Sequence, residues 1–218
     1  PIGAYGSGGP YHSSSVESIL TNIRGIKIAY PSNGADLKGL LKAAYYDPNP
    51  VVILEHKGLY WSKVKGTDFA KVNEPSEDYI LPFGKANIVQ EIWEQETDET
   101  ISVITYGMGV HWALNASKKM KEKVEIIDLR TLYPLDEETI LKSVRKTKKC
   151  LVVTEEPTNN SFARSLAGMI QEKCFRDLDA PVMVIGSENM PAIPLNSILE
   201  QTMIPSSDKV KEKIKELL

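Results

Sequence analysis

His12 is the residue of this sequence whose type and setting best fit proton chemistry. It follows the glycine-rich stretch Gly6-Ser7-Gly8-Gly9-Pro10-Tyr11 and precedes three serines. Glycine allows positive φ and a close approach of the backbone to a ligand, and imidazole exchanges a proton near neutral pH. The glycines lack the Gly-x-Gly-x-x-Gly spacing of a nucleotide cradle and follow no strand. We therefore expect the loop to shape the mouth of an active site, with a purely structural role for His12 as the alternative.

Four other titratable residues carry weaker signals. His56 follows a predicted strand, and we expect it at the surface or in an interface. His111 lies in the first turns of a predicted helix, where packing or capping is the expected role. Glu155 and Glu156 suggest acid–base work, but sequential neighbours in an extended chain point to opposite sides. We therefore expect this pair to line a subunit contact.

The composition is that of an ordinary globular protein. The 218 residues are 42% hydrophobic and 25% charged, enough for two domains of roughly 100 residues each. The net charge of −3 argues against a nucleic-acid or anionic-membrane partner, and no stretch approaches the ~20 apolar residues of a membrane span. Cys150 and Cys174 match no metal spacing, so we predict two buried thiols.

Alternating helix and strand patterns predict an α/β fold with a mostly parallel sheet. Ser14 and Glu17 fit a capping box for a helix that ends at Gly25. Predicted strands over 26–30 and 51–54 flank a helix from about Ala35 to Tyr46, preceded by Asn33. Continuous apolar runs between helices are typical of a parallel sheet that is covered on both faces.

A second α/β rhythm begins at Ile101 and predicts a three-layer domain. Its predicted strands are 101–106, 124–128, 150–154 and 182–185, and its predicted helices are 108–121, 135–147, 161–174 and 208–218. The stretch between the two rhythms is polar and contains an acidic run over 91–99, which we expect to be an exposed loop or hairpin tip. We therefore divide the chain into residues 1–55, an inter-domain connection over 56–98 that packs along a surface, and residues 99–218.

Seven phrases, in their order along the chain, resemble the β component (E1β) of the thiamine-diphosphate-dependent 2-oxo acid dehydrogenases. They are Gly8–Ser13, Gly25–Ser32, Asp36–Ala44, Asp47–Glu55, Leu81–Ala86, Ile127–Asp136 and Asp179–Val182. The resemblance implies that residues 1–55 are the C-terminal half of a pyrimidine-binding domain. It implies a transketolase C-terminal-like α/β/α domain over 99–218.

The resemblance also implies an activity, cofactors and partners. The E1 component decarboxylates a branched-chain 2-oxo acid (2-oxoisovalerate) or pyruvate and reductively acylates the lipoyl arm of E2. It uses thiamine diphosphate and Mg²⁺, and its partners are an E1 α component or a fused α region, the E2 acyltransferase and another β chain. His12 matches the family's active-site histidine and is the predicted catalytic residue. In the family the cofactor-binding groups lie outside the part that this chain matches, so we expect no cofactor-binding residue and no activity from the chain alone.

A potassium site is a further implication of the resemblance. The family often binds a structural K⁺ ion at the end of a helix, where this sequence has the carbonyl of Ala44 with Asp47 and Asn49. Such hard oxygen ligands suit the ion. An ordinary Asp-Pro-Asn-Pro turn is the alternative.

Two other interpretations stay open. The chain begins with Pro1 and no methionine, which suggests a fragment that could serve only as a non-catalytic subunit-assembly and E2-docking module. A transketolase or deoxyxylulose phosphate synthase relative would share the fold, but the Gly-Pro-Tyr-His-Ser phrase favours E1β. A bacterial cytoplasm is the preferred compartment over a mitochondrial matrix, and the sequence does not distinguish the 2-oxo acid.

Overall fold

Helices and strands alternate through most of the chain in the computed structural model, which describes residues 1–60, 64–93 and 99–218. In chain order the elements are α1 (Gly9–His12), α2 (Glu17–Thr21), β1 (Lys27–Ala29), α3 (Gly34–Tyr46), β2 (Val51–Ile53), β3 (Asn87–Gln90), β4 (Ile101–Thr105), α4 (Met108–Ser117), β5 (Val124–Asp128), β6 (Thr131–Tyr133), α5 (Glu137–Thr147), β7 (Cys150–Pro157), α6 (Phe162–Cys174), β8 (Met183–Ser187), α7 (Ser197–Met203) and α8 (Ser207–Leu217). The predicted α/β class is confirmed. Most of the acidic run predicted as an exposed loop, residues 94–98, lies outside the described residues.

The smaller sheet joins two strands near the N-terminus to one strand from the middle of the chain, in the order β2-β1-β6. Strand β1 pairs parallel with β2 and antiparallel with β6. Strand β6 was not predicted from the sequence. It follows Arg130, whose φ of 58° turns the chain sharply after β5 and sends it back toward β1. The C-terminal region therefore completes the sheet of the N-terminal region.

The larger sheet has the order β3-β5-β4-β7-β8. All neighbouring strands are parallel except β3, which pairs antiparallel with β5. The prediction of a mostly parallel sheet is confirmed. Strand β3 lies in the stretch that was predicted to be a connection. It was not predicted as a strand because a four-residue edge strand is too short to show a clear periodicity. The division into 1–55, 56–98 and 99–218 stays a prediction.

Alternate strand residues of the larger sheet face two different helix layers. Ile101 and Val103 of β4 pack in the cluster that contains residues of α4 and α8. Ile104 of β4 and Val152 of β7 pack in the cluster that contains residues of α5 and α6. This alternation follows from the two-residue period of a strand. The predicted three-layer α/β/α arrangement is confirmed.

Side-chain caps begin three of the longer helices at the positions that the sequence indicates. The side chains of Asn33, Asp136 and Ser161 accept hydrogen bonds from backbone N–H groups in the first turns of α3, α5 and α6. Helix α2 differs, because it begins at Glu17 without a side-chain cap. The predicted capping box of Ser14 and Glu17 is therefore wrong: the Glu17 carboxyl is buried and has no hydrogen-bond partner in the described residues.

One apolar core runs through both parts of the chain. Ile28 and Leu54 of the N-terminal region share a cluster with Ile104 and Leu129 of the C-terminal region. The stretch over 56–98 contacts α3 at Leu81, whose N–H donates to the carbonyl of Gly39. Both cysteines are buried free thiols, as predicted. Within the described parts of the chain, the helices are too short or too polar to cross a bilayer.

Candidate functional site

His12 lies exposed at the C-terminal end of α1, the single helical turn that follows the glycine-rich loop. Its carbonyl oxygen accepts a hydrogen bond from the ammonium group of Lys57. Its imidazole makes no hydrogen bond or ion pair with the described part of the chain. The predicted catalytic histidine is therefore held by its backbone, and its ring is available to a ligand or to another chain.

A cavity of about 310 Å³ lies behind the glycine-rich loop. Tyr5, Gly6 and Ser7 form its loop side, and Glu200 of α7 and His56 contribute to the opposite wall. Glu200 is buried, and its Oε2 atom has no partner in the described residues. The cavity wall, otherwise mostly apolar, therefore carries two buried carboxyl groups, those of Glu155 and Glu200. Helix α7, which supplies Glu200, was not predicted from the sequence.

Glu155 joins the start of the loop to the end of β7. Its Oε1 atom accepts from the backbone N–H of Ala4 (2.5 Å), and its Oε2 atom lies 2.8 Å from Nε2 of His56. The N–H of Gly58 donates to Nδ1 of His56 (3.1 Å), so the ring proton belongs on Nε2 and is donated to Glu155. The carboxylate thus accepts from two donors at once.

Burial of these side chains corrects two predictions. The side chains of His56 and Glu155 are 1% and 4% exposed, inside one chain. His56 is therefore not a surface histidine, and Glu155 does not line a subunit surface. The missed signal is the apolar run of β7, which continues into Glu155 and Glu156 with no turn residue before Pro157 and so indicates a longer buried strand.

Glu156 connects two helices. Its Oε1 atom accepts from the N–H of Ser18 in α2 (2.7 Å), and its Oε2 atom accepts from the N–H of Phe162 at the start of α6 (2.8 Å). Unpaired N–H groups and the helix dipole both favour a carboxylate at a helix N-terminus. Glu156 therefore ties the N-terminal region to the larger domain.

Glu17 is the third carboxyl in this place. Burial raises the pKa of Glu17 well above its ordinary value, and the negative charge of Glu156 raises it further. The hydroxyl of Tyr30 is also buried without a partner in the described residues. Burial, together with the nearby carboxylates, raises the pKa of Tyr30 as well. Glu17 is therefore a carboxylic acid that favours its protonated form. We call Ala4, Glu17, His56, Glu155 and Glu156 the glutamate contact.

A second polar contact joins the same two regions. Arg130 donates from Nε and Nη2 to the two oxygens of Asp36, at 2.9 and 2.8 Å. The hydroxyl of Ser32 donates to Oδ2 of Asp128 at 2.5 Å, and the N–H of Arg130 donates to Oδ1 at 3.0 Å. The Arg130 and Asp36 side chains are 15% and 3% exposed, so this bidentate ion pair is largely buried. We call Ser32, Asp36, Asp128 and Arg130 the arginine contact.

Asp128 is unusual within the arginine contact. Complete burial raises its pKa to about 7, against the lowering effect of the hydrogen bond from Ser32. The charge of Asp36 adds to the rise, and Arg130 opposes it. Asp128 therefore titrates near neutral pH.

His111 has the packing role that the sequence predicts. Its Nε2 atom lies 2.8 Å from the carbonyl oxygen of Ser32, to which it donates, and its ring packs edge-on against Phe69. Burial lowers the pKa of His111. The ring is therefore neutral near pH 7 and links α4 to the N-terminal region.

The three residues of the predicted potassium site lie together in the turn after α3. The carbonyl of Ala44 accepts from the N–H of Asp47 (3.2 Å), and Oδ1 of Asp47 accepts from the backbone and side chain of Asn49 (2.9 and 3.0 Å). The ammonium of Lys27 forms an ion pair with the other carboxylate oxygen of Asp47. This hydrogen bonding lowers the pKa of Asp47 to about 2. The potassium site stays a prediction, and Lys27 is the cation that would compete for it.

Fold and contacts together define a class: an α/β protein whose three-layer domain shares one core and two buried polar contacts with a smaller, partly parallel sheet. The chain belongs to the transketolase family. The model of the transketolase C-terminal domain matches residues 87–210, and that of the transketolase pyrimidine-binding domain matches residues 1–62.

Curated relatives give the resemblance more detail. Over its whole length, the chain is 40% identical to the 2-oxoisovalerate dehydrogenase subunit beta of Bacillus subtilis (strain 168), of which it covers 63%. Over 99% of its length, it is 33% identical to the pyruvate dehydrogenase E1 component subunit beta of Rhizobium meliloti (strain 1021), of which it covers 44%. The predicted resemblance to E1β is confirmed. The chain spans less than two thirds of the length of either relative.

A solved structure supports the fold independently. This structure, a split-gene transketolase described as an inactive beta4 tetramer, superposes with a TM-score of 0.69 over 95% of this chain and 62% of its own. The two sequences are 17% identical, so the likeness shows the fold alone. The predicted transketolase-like fold is confirmed.

Proposed function

We propose that this chain is the β-type part of the E1 component of a 2-oxo acid dehydrogenase complex, either in a separate subunit or in a fused E1 chain. The complex would oxidatively decarboxylate a branched-chain 2-oxo acid or pyruvate and reductively acylate the lipoyl group of E2. The observation that carries this proposal is the 40% identity, from end to end of the chain, to a 2-oxoisovalerate dehydrogenase β subunit. A bacterial cytoplasm stays the preferred compartment.

The proposed holoenzyme uses thiamine diphosphate and Mg²⁺, and the cofactor supplies the carbanion chemistry of decarboxylation when bound. We do not expect the described residues to hold the diphosphate or the metal of this cofactor. None of their His, Cys, Asp or Glu side chains form a group of three or more that could hold a metal ion. The cavity behind the loop presents carboxylates, whereas a diphosphate requires cationic or N–H donors. We therefore assign the diphosphate and the metal to the α component or fused α region, and derive no step through them.

His12 is the residue of this chain that we propose to act on the acyl acceptor. Its imidazole is exposed and has no competing partner in the described residues, so it can meet a lipoyl group delivered by E2. Opening of the lipoyl disulfide requires a proton at the departing sulfur, which an imidazole can hold and deliver near neutral pH. The partners that this role requires are an α component and E2, with a second β chain in the assembled complex.

The test is His12→Ala in an enzyme assembled with an α component, with Tyr11→Phe as the matched control on the same helical turn. We expect the rate of lipoyl acylation to fall by about 10²–10⁴-fold in His12→Ala, the usual contribution of acid–base catalysis, and to be unchanged in Tyr11→Phe. Decarboxylation followed with an artificial electron acceptor should be reduced much less. An acylation rate that His12→Ala leaves unchanged would contradict the role.

The alternative, a subunit-assembly and E2-docking module, predicts a different result. The chain would then bind E2, but adding it to the α component would not increase the affinity for thiamine diphosphate. Titration calorimetry of the cofactor into the α component with and without this chain distinguishes the two functions.

A further inference from the structure

We propose that Glu155 is a positioning residue that holds the glycine-rich loop and, through His56 and Lys57, the backbone of His12. This inference rests on the proposed function, since it concerns the placement of the proposed catalytic histidine. It assigns a catalytic consequence to a contact between residues that are 99 positions apart in the chain.

The first step is the fit between the start of the loop and the ring of His56. Gly3 has a φ of +88°, and a Cβ atom added there would lie 2.1 Å from Cδ2 of His56. The backbone of Ile2 pairs with this same segment, donating to the carbonyl of Glu55 (2.9 Å) and accepting from the N–H of Lys57 (3.1 Å). The loop therefore begins directly against the His56 ring, and the orientation of that ring determines its path.

The second step is the chemistry that only a carboxylate can supply at position 155. Ala4 N–H and His56 Nε2–H are both donors, and they approach different oxygens of Glu155. The bond from Gly58 to Nδ1 prevents the ring from adopting the other neutral tautomer. A glutamine has one acceptor oxygen and one NH₂ group, so it can satisfy only one of the two donors. The site thus distinguishes Glu from Gln although the two have the same shape.

The third step connects His56 to His12. Lys57 is the next residue in the chain, and its ammonium donates to the carbonyl oxygen of His12 at the other end of the loop. Glu155 and the segment His56–Lys57 therefore hold the loop at both ends, at Ala4 and at His12. Loss of an acceptor oxygen at Glu155 releases the loop at Ala4 and releases the His56 ring against which the loop begins. The imidazole of His12 itself is not changed by this loss.

The experiment compares Glu155→Gln with Arg130→Lys in the assembled enzyme. Arg130→Lys is the matched control, because it weakens the bidentate pair with Asp36 across the same two regions and touches no loop residue. We expect Glu155→Gln to lower kcat for lipoyl acylation by about tenfold or more, with decarboxylation to an artificial acceptor nearly unchanged. Arg130→Lys should lower the unfolding temperature without this split between the two reactions.

Hydrogen exchange provides a readout that does not depend on activity. In Glu155→Gln, we expect the amides of residues 2–9 to exchange about tenfold faster, as befits the loss of one buried hydrogen bond. In Arg130→Lys these amides should be unaffected. A double variant Glu155→Gln/His56→Gln should cost much less than the sum of its single variants, because both residues act through one contact.

The outcomes separate this inference from the proposed function. If His12→Ala abolishes acylation while Glu155→Gln changes neither acylation nor exchange in the loop, the positioning role is overturned and the function stands. If Glu155→Gln accelerates exchange but His12→Ala leaves acylation intact, the loop contact is real and the proposed role of His12 in acylation fails. Equal losses of both reactions in Glu155→Gln and Arg130→Lys would show a structural role only.

Discussion

The arginine contact and the glutamate contact bury acidic side chains between the same two regions in opposite ways. In the arginine contact, the guanidinium of Arg130 matches both oxygens of Asp36. The glutamate contact brings together three carboxyl groups with neutral donors only, namely backbone N–H groups and the His56 ring. A buried carboxylate needs a cation or several donors, and Glu17 has neither among the described residues. The arginine contact therefore pairs a buried carboxylate with a cation, whereas the glutamate contact leaves the Glu17 carboxyl without any donor in the described residues.

The largest expected effect in this comparison comes from removing the one cation. Arg130→Met leaves Asp36 buried without its partner, which typically costs about 3–5 kcal/mol in the free energy of unfolding. Arg145→Met is the matched control, because Arg145 and Asp177 form a pair that is about half exposed. Such a pair is worth about 0–1 kcal/mol. Urea unfolding of both variants measures the two changes in the free energy of unfolding. Equal small losses would show that burial does not make the Arg130 pair more important for stability than the Arg145 pair.

Asp128 tests whether the arginine contact also contains a buried carboxyl group whose ionisation lowers stability. Its pKa of about 7 in the folded chain lies above the ordinary value of 3.8, so the folded state binds more protons than the unfolded state between these two pH values. Stability from this group is therefore present in acid and is lost as pH rises toward 7. Asp128→Asn removes that loss and should be more stable than the wild type at pH 8, by up to about 4 kcal/mol.

At pH 4 the same substitution should have little effect, since the difference in proton binding between the two states accumulates above that pH. Thermal unfolding from pH 4 to pH 8 measures the difference, with Asp179→Asn as a control at a more exposed aspartate. A constant difference across this range would mean that Asp128 is ionised throughout, and that the arginine contact carries no titrating group.

The smallest expected effect comes from removing the unpaired carboxyl group of the glutamate contact. Glu17→Leu removes a buried carboxyl that has no partner in the described residues, and we expect a gain of about 1 kcal/mol at pH 4, where the group is mostly protonated in both states. The pKa of Glu17 is raised in the folded chain, so the gain should grow as pH increases above the pKa of an unfolded glutamate. Calorimetry at pH 4 and pH 7 checks both the sign and the trend. A loss of stability would show that Glu17 has a partner and that the two contacts are alike.

Most of the helices could be predicted from the sequence, and the reason is local. The side chains of Asn33, Asp136 and Ser161 cap their helices by accepting a hydrogen bond from the backbone N–H only three residues later. The apolar runs of β4 and β7 likewise show their burial directly in the sequence. Strand β6 could not be predicted in this way, because it depends on a turn at Arg130 and on pairing with β1 about one hundred residues earlier.

The candidate site divides along the same line. His12 could be singled out from its neighbours, because the glycines, proline and serines around it form one continuous phrase. Glu17 was misassigned as half of a capping box because its spacing from Ser14 fits that motif, and burial is invisible to spacing. Glu155 was assigned to a subunit contact for a similar reason. Its partners Ala4 and His56 are far away in the chain.

The order of amino acids alone therefore determined the class of fold, the starts of α3, α5 and α6, the thiols and the position of the glycine-rich loop with its histidine. All of these depend on residues within a few positions of each other or on the composition of a single segment. Folding alone determined which carboxyl groups share the buried space between the two regions, which of them receive a donor, and which of them stay protonated. Desolvation and pairing are set by atoms that meet in three dimensions, and no local pattern records which distant residue will supply the donor.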